Sequence, residues 1–269
     1  MIVVKTEKCT GCGICADECH IQSIVVEEGK AKPLDENCIE CGHCFAICPE
    51  NAIEITDYDM DDVIEVSPID VTAGELLSLI KIRRSIRKFK DIPVEKDLIK
   101  KIIEAGRYTA TAGNLQGLSF IVVDNKMHEF RKLVIENLVD LGQEIIESGS
   151  SDARLIKYAN WWLTIGESYE KNPQEKDTVF YEAPLIILIA GNNAIDAGLA
   201  ASNMELVAFT SGLGALYSGH ITRGVAKDEI KDFIGVPKSK DVLTVMLFGY
   251  PDVEYLRSAP RKMADIIWA

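Results

Sequence analysis

Cysteine is absent from most of this 269-residue chain, because all eight cysteines lie in the first 48 residues and none follows Cys48. Long apolar runs are also missing, and the longest, residues 183–190, is far shorter than the roughly 18 residues that a membrane-spanning helix needs. The start of the chain, Met1 to Lys5, lacks the charged and apolar regions of a signal peptide. These absences predict a cytoplasmic protein without a membrane span.

Basic residues are scarce at the front of the chain. Residues 1–62 contain 4 Lys/Arg and 14 Asp/Glu, so they carry −10 of the net charge of −13. The other residues hold 25 Lys/Arg and 28 Asp/Glu, a balance of only −3. An acidic front end disfavours binding to nucleic acid and to anionic membranes. It is either a solvated face or a docking surface for a redox partner, and charge alone leaves both readings open.

The cysteines form two quartets with one spacing, and the second repeats the first at an offset of 29 residues. Three thiolates two residues apart on a glycine-rich loop can bind three irons of one [4Fe–4S] cluster, and the fourth cysteine ligates the other cluster. Zinc sites use paired Cys-x2-Cys, and disulfides need an oxidising compartment, so both alternatives fit this spacing poorly. The spacing therefore predicts two clusters. The first would be held by Cys9, Cys12, Cys15 and Cys48, and the second by Cys38, Cys41, Cys44 and Cys19.

Residues 1–56 closely resemble bacterial-type two-cluster ferredoxins. One position departs from that pattern, since His20 stands where a proline usually follows the first quartet. The resemblance implies low-potential one-electron carriers at about −400 mV. The acidic segment Thr56 to Asp62 reads as a linker, so we predict a ferredoxin-like domain over residues 1–62 and a second domain over residues 63–269.

The second domain has the pattern of an α+β sandwich. Continuous apolar runs predict three strands buried on both faces, and these are residues 120–123, 185–189 and 242–248. Helical periodicity is clearest over residues 98–106, 130–146 and 194–212. We therefore expect a central sheet that is covered by helices on both sides.

A basic segment follows a helical pattern that begins near Leu76. From Leu76 to Lys90 there are six Lys/Arg and no Asp/Glu. If the chain leaves the helix near Ile82 in extended form, Arg83, Ser85 and Arg87 project to one side and could bind a phosphate. From charge alone, a solvated basic helix end is an equally good interpretation.

Four motifs, in order, resemble those of the nitroreductase family of FMN enzymes and span residues 76–262. The family's A-P-S-A-x-N-x-Q stretch is matched with Ala110 in place of its proline, and Gly117-Leu118 replace a usual proline and aromatic residue. Both departures affect the outer wall of the flavin site. The motifs are Arg83-Arg84-Ser85-Ile86-Arg87-Lys88-Phe89, residues 109–116, residues 211–219, and Phe248-Gly249-Tyr250-Pro251 with Pro260-Arg261-Lys262.

The resemblance implies a role for each motif. The first motif and the terminal basic pair would hold the flavin phosphate, the Asn and Gln of the second would meet the pyrimidine edge, and the third would face flavin N5. It also implies an obligate homodimer with FMN at the subunit interface. The residues that the resemblance assigns to FMN are Arg83, Arg84, Ser85, Arg87, Thr111, Asn114, Gln116, Tyr217, Ser218, Gly219, Arg261 and Lys262.

Other candidate residues carry weaker signals. His220 could donate a proton, although a lone histidine near a loop is more often structural. Trp161-Trp162 and Trp268 could line a pocket or a dimer seam, and Tyr58 is assigned no role. Gly212-x-Gly214 lacks the third glycine of a Rossmann site. No protein nucleophile is expected, because the flavin itself would perform the chemistry.

The two halves together predict an FMN-dependent reductase that receives electrons through two [4Fe–4S] clusters. The implied acceptors are nitroaromatics, quinones or similar flat molecules, and the donor is either NAD(P)H or a reduced ferredoxin. One alternative is a redox sensor or electron-transfer protein whose flavin serves a protein partner. Another is an FMN enzyme that oxidises or dehalogenates a metabolite.

Overall fold

The computed structural model describes residues 1–34, 37–173 and 177–269. Its internal contacts divide the chain into two units. The first unit contains Met1–Asp70 and the short segment Thr111–Leu115, and the second contains Val71–Ala110 and Gln116–Ala269. The first unit thus includes residues 63–70, beyond the boundary predicted near residue 62, and it gains a segment that the sequence pattern did not indicate.

The first unit contains two antiparallel strand pairs, two short α-helices and two 3-10 helices, Met60–Asp62 and Ala112–Asn114. Strand β1 pairs with β4, and β2 pairs with β3. Its small core joins aliphatic residues such as Ile24 and Ile53 to the buried cysteines Cys9, Cys15 and Cys44. The bounds are β1 Ile2–Val4, α1 Ile14–Glu18, β2 Ile24–Glu27, β3 Lys30–Pro33, α2 His43–Ala46 and β4 Ile53–Ile55.

Glycines start both helices of the first unit in the same way. Gly13 before α1 and Gly42 before α2 have φ values of 85° and 77°, which are left-handed conformations that glycine adopts without steric cost. These two glycines are 29 residues apart, as are the cysteines. The repeat that was read from the cysteine spacing is therefore present in the backbone as well.

The second unit is built on a four-stranded antiparallel sheet with the order β5-β6-β8-β7. Three of its strands confirm the predicted apolar runs, whereas β7 was not predicted because it is short and contains Gly214 and Ala215. Three helices, α6, α8 and α9, were also not predicted. The bounds are α3 Ala73–Ile82, α4 Lys96–Arg107, β5 Ser119–Val123, α5 Met127–Glu147, α6 Ala153–Lys171, β6 Leu185–Gly191, α7 Ala194–Thr210, β7 Gly214–Tyr217, α8 Gly219–Gly224, α9 Asp228–Ile234 and β8 Asp241–Gly249.

Strand β6 is the centre of the second unit, and all seven of its residues are buried. Its alternating side chains enter two different apolar clusters. Ile186 and Leu188 face the cluster that includes α5 and α6, and Ile187 and Ile189 face the cluster that includes α4 and α7. Helices therefore cover both faces of the sheet, which confirms the predicted α+β sandwich.

Two apolar segments of the second unit lie on its surface. Helix α3 has no buried residue, although Leu76, Leu77, Ile80 and Ile82 are on it. The last residues of the chain, up to Trp268, form no helix or strand and are mostly exposed. Among the described residues, no helix is both long and apolar enough to cross a bilayer.

The basic segment leaves helix α3 at Ile82 and continues in extended form, which is the condition under which Arg83, Ser85 and Arg87 were expected to share one side. It runs beside β7, because Ser85 bridges Ala215 and the amide of Ile86 donates to the Ala215 carbonyl at 3.0 Å. Gly214 makes this approach possible, since a Cβ atom there would lie 2.3 Å from Cγ1 of Ile86. The segment that was assigned to the flavin phosphate is thus adjacent to the one that was assigned to flavin N5.

Candidate functional site

Four cysteines from both halves of the repeat surround one cavity in the first unit. Cys9, Cys12 and Cys15 come from the first quartet, and Cys48 comes from the end of the second. The remaining lining is mostly small and apolar and includes Gly11, Gly13, Ala31, Ala52 and Ile53. This is the set of four thiols that the spacing assigned to the first cluster.

Backbone amides donate hydrogen bonds to the cysteine sulfurs. Ser23 N donates to Cys19 Sγ at 3.2 Å, and Ala52 N donates to Cys48 Sγ at 3.3 Å, so the fourth cysteine of each quartet is bound in the same way. Cys9 Sγ accepts from Ala31 N at 3.3 Å. Such bonds favour the thiolate form, and the bond from Ala31 N is the main cause that lowers the pKa of Cys9.

Burial opposes ionisation of the deeper thiols. It raises the pKa of Cys15, and it raises the pKa of Cys44 to about 11. Because iron binds thiolates, incorporation of a cluster must release protons from these residues. Once ionised, these buried thiols therefore need a bound cation to compensate their negative charge.

The second quartet is grouped in the same way as the first. The thiols of Cys38 and Cys41 lie close enough to Cys44 to influence its pKa, as those of Cys12 and Cys48 do for Cys15. Within the described ranges, no three Cys, His, Asp or Glu side chains converge on a point where one metal ion could sit. The thiolates of a four-iron cage bind different irons and have no such common point.

The second unit contains a buried carboxylate beside the predicted phosphate site. Glu205, on α7, is 3% exposed, and its Oε1 accepts a hydrogen bond from Arg83 Nη1 at 2.9 Å. The Tyr217 hydroxyl also hydrogen-bonds with Glu205. Burial raises the pKa of Glu205, and the Arg83 guanidinium opposes that rise. Burial likewise raises the pKa of Tyr217, so the phenol stays neutral.

The other predicted phosphate residues differ in their surroundings. Arg84 lies over the Tyr255 ring, with Cζ 5.1 Å from its centroid, and Arg87 is exposed. Arg261 and Lys262 are exposed, and the Arg261 side chain donates to the Pro260 carbonyl at 3.1 Å. In the described part of the chain, no hydrogen bond or ion pair joins either of them to the Arg83–Ser85 segment.

Ser218 and Gly219 form the start of helix α8. Ser218 is buried, and its Oγ caps the helix by accepting from Ile221 N at 3.2 Å. Its own amide donates to the Val245 carbonyl at 2.9 Å, which fixes the turn after β7. The predicted flavin-facing backbone is therefore held at both ends by the sheet and by a helix cap.

His220, on α8, packs against aromatic side chains of α6. Its Nδ1 accepts a hydrogen bond from Trp162 Nε1 at 3.1 Å, and its ring contacts those of Tyr158 and Trp161 edge-on. The bond to Trp162 places the imidazole proton on Nε2. Burial, with the nearby Arg223 charge, lowers the pKa of His220, so the ring is neutral at physiological pH.

The predicted pyrimidine-edge residues fall in different units. Thr111 and Asn114 belong to the first unit, where Asn114 Nδ2 donates to the carbonyls of Ile39 and Glu40, both at 3.0 Å. Gln116 belongs to the second unit and is exposed, with a φ of 46°. The amide nitrogen of Asn114 thus contacts the loop of the second cysteine quartet.

Sequence reasoning missed three polar residues that the structure places at these sites. Glu205 lies among apolar residues of α7, and a buried acid in such a run is a signal that could have been noticed. Glu40 and Tyr58 gave no such signal, because both contact Asn114, which is far away in sequence.

Comparison with known proteins finds a separate match for each of the two parts of the chain. Residues 80–250 match the Nitroreductase family model, and residues 8–53 match a model described as a 4Fe-4S dicluster domain. The first match covers more than half of the chain. The fold and the site define an α+β oxidoreductase class with an appended iron–sulfur module. The chain belongs to the Nitroreductase family.

Solved structures show the same fold. A nitroreductase with bound FMN from Bacteroides fragilis aligns with a TM-score of 0.56 and 21% identity, over 72% of this chain and 98% of its own. One with bound FMN from Desulfitobacterium hafniense aligns with a TM-score of 0.53 and 21% identity, over 71% and 97%. An NADPH-dependent oxidoreductase from Staphylococcus aureus is 28% identical, and the match covers 66% of each chain, just under two thirds of that relative's length.

Proposed function

We propose that the chain is an FMN-dependent oxidoreductase in which two [4Fe–4S] clusters pass electrons to FMN, which reduces a flat acceptor such as a nitroaromatic or a quinone. The observation that carries the proposal is the cavity lined by Cys9, Cys12, Cys15 and Cys48 in a chain whose larger part is a Nitroreductase domain. Single-electron carriers and a flavin on one chain are the parts of an electron relay.

The cysteine sites fit iron–sulfur clusters. Sulfur is the ligand that these clusters require, and backbone amides already donate to Cys9, Cys19 and Cys48. The Ser23 amide donates to Cys19, the fourth ligand of the second cluster by our assignment, and the buried Ser23 Oγ has no hydrogen-bond partner among the described residues. A cluster sulfide would accept that hydrogen bond. Thiols that must remain reduced favour a reducing compartment, and we propose the cytoplasm.

The second unit fits FMN around Arg83, Ser85 and the β7–α8 turn. The Arg83 side chain is 33% exposed and donates to Glu205 through Nη1, so its other N–H groups can meet a phosphate. Two neighbours in structure have bound FMN, and a relative is named NADPH-dependent. We assign the phosphate to Arg83, Arg84, Ser85 and Arg87, the pyrimidine edge to Thr111, Asn114 and Gln116, the reactive ring to Tyr217, Ser218 and Gly219, and a second phosphate contact to Arg261 and Lys262.

When bound, FMN supplies hydride transfer from N5 and exchange between one- and two-electron steps. The chain's own residues bind and orient it. Glu205 holds Arg83 in place, and Ser218 fixes the turn that faces the ring. His220 is neutral, with its proton on Nε2, and it serves as a hydrogen-bond donor rather than as a charged acid. No catalytic nucleophile is required.

We also propose a homodimer with FMN at the subunit interface. Helix α3 buries none of its five large apolar residues, which a stable helix of a monomer would bury. The C-terminal segment has exposed Leu256, Met263, Ile267 and Trp268. A second copy of the chain would cover these surfaces.

A second candidate function is electron transfer to a protein partner. The net charge of −10 over residues 1–62 supports it, because a strongly acidic surface steers a basic redox protein. Turnover of diverse small acceptors by the reduced protein separates the two candidates. Reduction of a basic redox protein without any turnover of small acceptors would favour the second.

The composition of the purified protein tests the proposed function. Protein that is prepared and reconstituted without oxygen should contain eight irons and eight acid-labile sulfides per chain, by the stoichiometry of two four-iron clusters, together with one FMN. It should also oxidise NADH, NADPH or a reduced ferredoxin in the presence of a nitroaromatic or quinone. Absence of labile sulfide, or of FMN after loading, would reject the proposal.

A further inference from the structure

Glu40 occupies a strained position in the loop of the second quartet. It lies between Cys38 and Cys41 and has a φ of 52°, in the left-handed region. Its counterpart in the first quartet, 29 residues earlier, is Gly11, with a φ of 69°. This conformation is sterically unfavourable for a residue with a Cβ atom, whereas glycine adopts it freely. Some other contact must therefore hold Glu40.

The Glu40 amide donates to a cluster ligand, and its direction is that of the planar Ile39–Glu40 peptide group. Glu40 N donates to Cys38 Sγ at 3.4 Å, as the Gly11 amide does to Cys9 in the first quartet. Amide hydrogen bonds to cluster sulfurs stabilise the more negative, reduced state and so raise the reduction potential. The orientation of this peptide group thus has a consequence for the second cluster.

Side chains from outside the quartet hold Glu40 in place. Asn114 Nδ2 donates to the Glu40 and Ile39 carbonyls, both at 3.0 Å. The Tyr58 hydroxyl donates to the Glu40 carbonyl at 3.2 Å, and Asn114 Nδ2 lies 3.4 Å from that hydroxyl. The Glu40 carboxylate also pairs with the Met1 amino group at 2.7 Å. Of these residues, Asn114 is the farthest from Glu40 in sequence, at a separation of 74 positions.

We propose that Asn114, assisted by Tyr58, is a positioning residue for the second cluster. It binds the Ile39 carbonyl and so fixes the peptide group whose amide donates to Cys38 Sγ, and it binds the Glu40 carbonyl and so holds the left-handed conformation that follows. It thereby raises that cluster's reduction potential relative to a loop without this support. The inference rests on the proposed function in one respect, since it requires clusters at the two quartets. Asn114 lies within residues 80–250, which match the Nitroreductase family model, so a residue of that domain's sequence would adjust the iron–sulfur module.

The test is an EPR-monitored redox titration of the reconstituted full-length protein. Asn114→Ala should make the one-electron reduction of the second cluster at least about tenfold less favourable, which lowers its reduction potential by about 59 mV. The reduction potential of the first cluster should not change. Tyr58→Phe should give a smaller shift in the same direction. A Cys38→Ser variant identifies which signal belongs to the second cluster.

A double variant separates positioning from a direct charge effect. Glycine adopts a positive φ without support, so Glu40→Gly should suppress the effect of Asn114→Ala when the two are combined. An equal Asn114→Ala shift in both backgrounds, a shift of both clusters together, or no shift in a fully loaded protein would overturn the inference. Failure to load iron and sulfide in the unmodified protein would instead reject the proposed function. If Asn114→Ala does not fold, the Tyr58→Phe and Glu40→Gly titrations decide by the same criteria.

Discussion

At the scale of single residues, the Arg83–Glu205 pair joins stability to binding. Glu205 is nearly fully buried, and Arg83 is its charged partner. Arg83→Met should destabilise the protein by about 3 kcal/mol, at the low end for breaking a buried pair because Arg83 is partly exposed. The free energy of unfolding from denaturant titration measures this loss.

The same variant should bind FMN more weakly. Loss of one charge-assisted hydrogen bond costs about 1.5 to 3 kcal/mol, or roughly 10- to 150-fold in the dissociation constant. Quenching of flavin fluorescence gives that constant. In Arg83→Met/Glu205→Gln, the buried charge is removed, so stability should partly recover while FMN binding stays weak. Recovery of both properties would show that Arg83 acts only through folding.

His220 predicts a dependence of stability on pH. Its pKa is lowered in the folded state, so the unfolded chain binds more protons below the ordinary histidine pKa of about 6.5. Its contribution is fully present above that pH and is lost as the pH falls towards the folded-state pKa. Between pH 7 and 5, the free energy of unfolding should fall less in His220→Gln than in the unmodified apoprotein. Equal falls would exclude a buried neutral His220.

At the scale of elements, Gly214 is required by the approach of the basic segment to β7. A Cβ atom at this position would lie 2.3 Å from Ile86 Cγ1, and Ile86 is 5% exposed. Gly214→Ala should therefore separate the two segments and lower the free energy of unfolding by about 1 to 3 kcal/mol, the cost expected for overpacking. The affinity for FMN should fall as well. Gly212→Ala is not a matched control, because Gly212 has a φ of 80°. Gly198→Ala, on helix α7 with open space at its Cβ position, is the appropriate comparison.

Helix α3 gives the prediction for assembly. Leu77 and Ile80 are 50% and 43% exposed on a helix with no buried residue. Leu77→Glu/Ile80→Glu should convert the dimer to a monomer and release FMN, whereas Lys81→Glu, on the same helix, should do so far less. Light scattering after size-exclusion chromatography measures the mass. A chain that is already monomeric when loaded with FMN would contradict the proposed interface.

The sequence predicted some elements better than others for identifiable reasons. Strands β5, β6 and β8 are continuous apolar runs, so burial on both faces was visible in their residues. Strand β7 has four residues, one of them glycine, and it is specified by its pairing with β8. The Arg83–Glu205 pair was not predictable, because the partners are 122 positions apart and only the fold brings them together.

At the scale of the whole chain, the cysteine spacing predicted more than the flavin motifs did. The spacing placed Cys48 with three cysteines of the other quartet, and the structure brings those four together. The flavin motifs predicted which segments matter, but the placement of Thr111–Leu115 with the first unit depends on long-range contacts such as that of Asn114 with Glu40. Local patterns carry no information about such contacts.

We propose that electrons pass from the clusters to FMN within the protein. Anaerobic stopped-flow mixing with a low-potential donor, with cluster and flavin absorbance followed together, measures this transfer. In the loaded protein, the clusters should be reduced first and the flavin should follow, and a Cys38→Ser/Cys41→Ser variant that retains FMN should reduce its flavin at least tenfold more slowly. Flavin reduction at the same rate in both proteins would contradict the account.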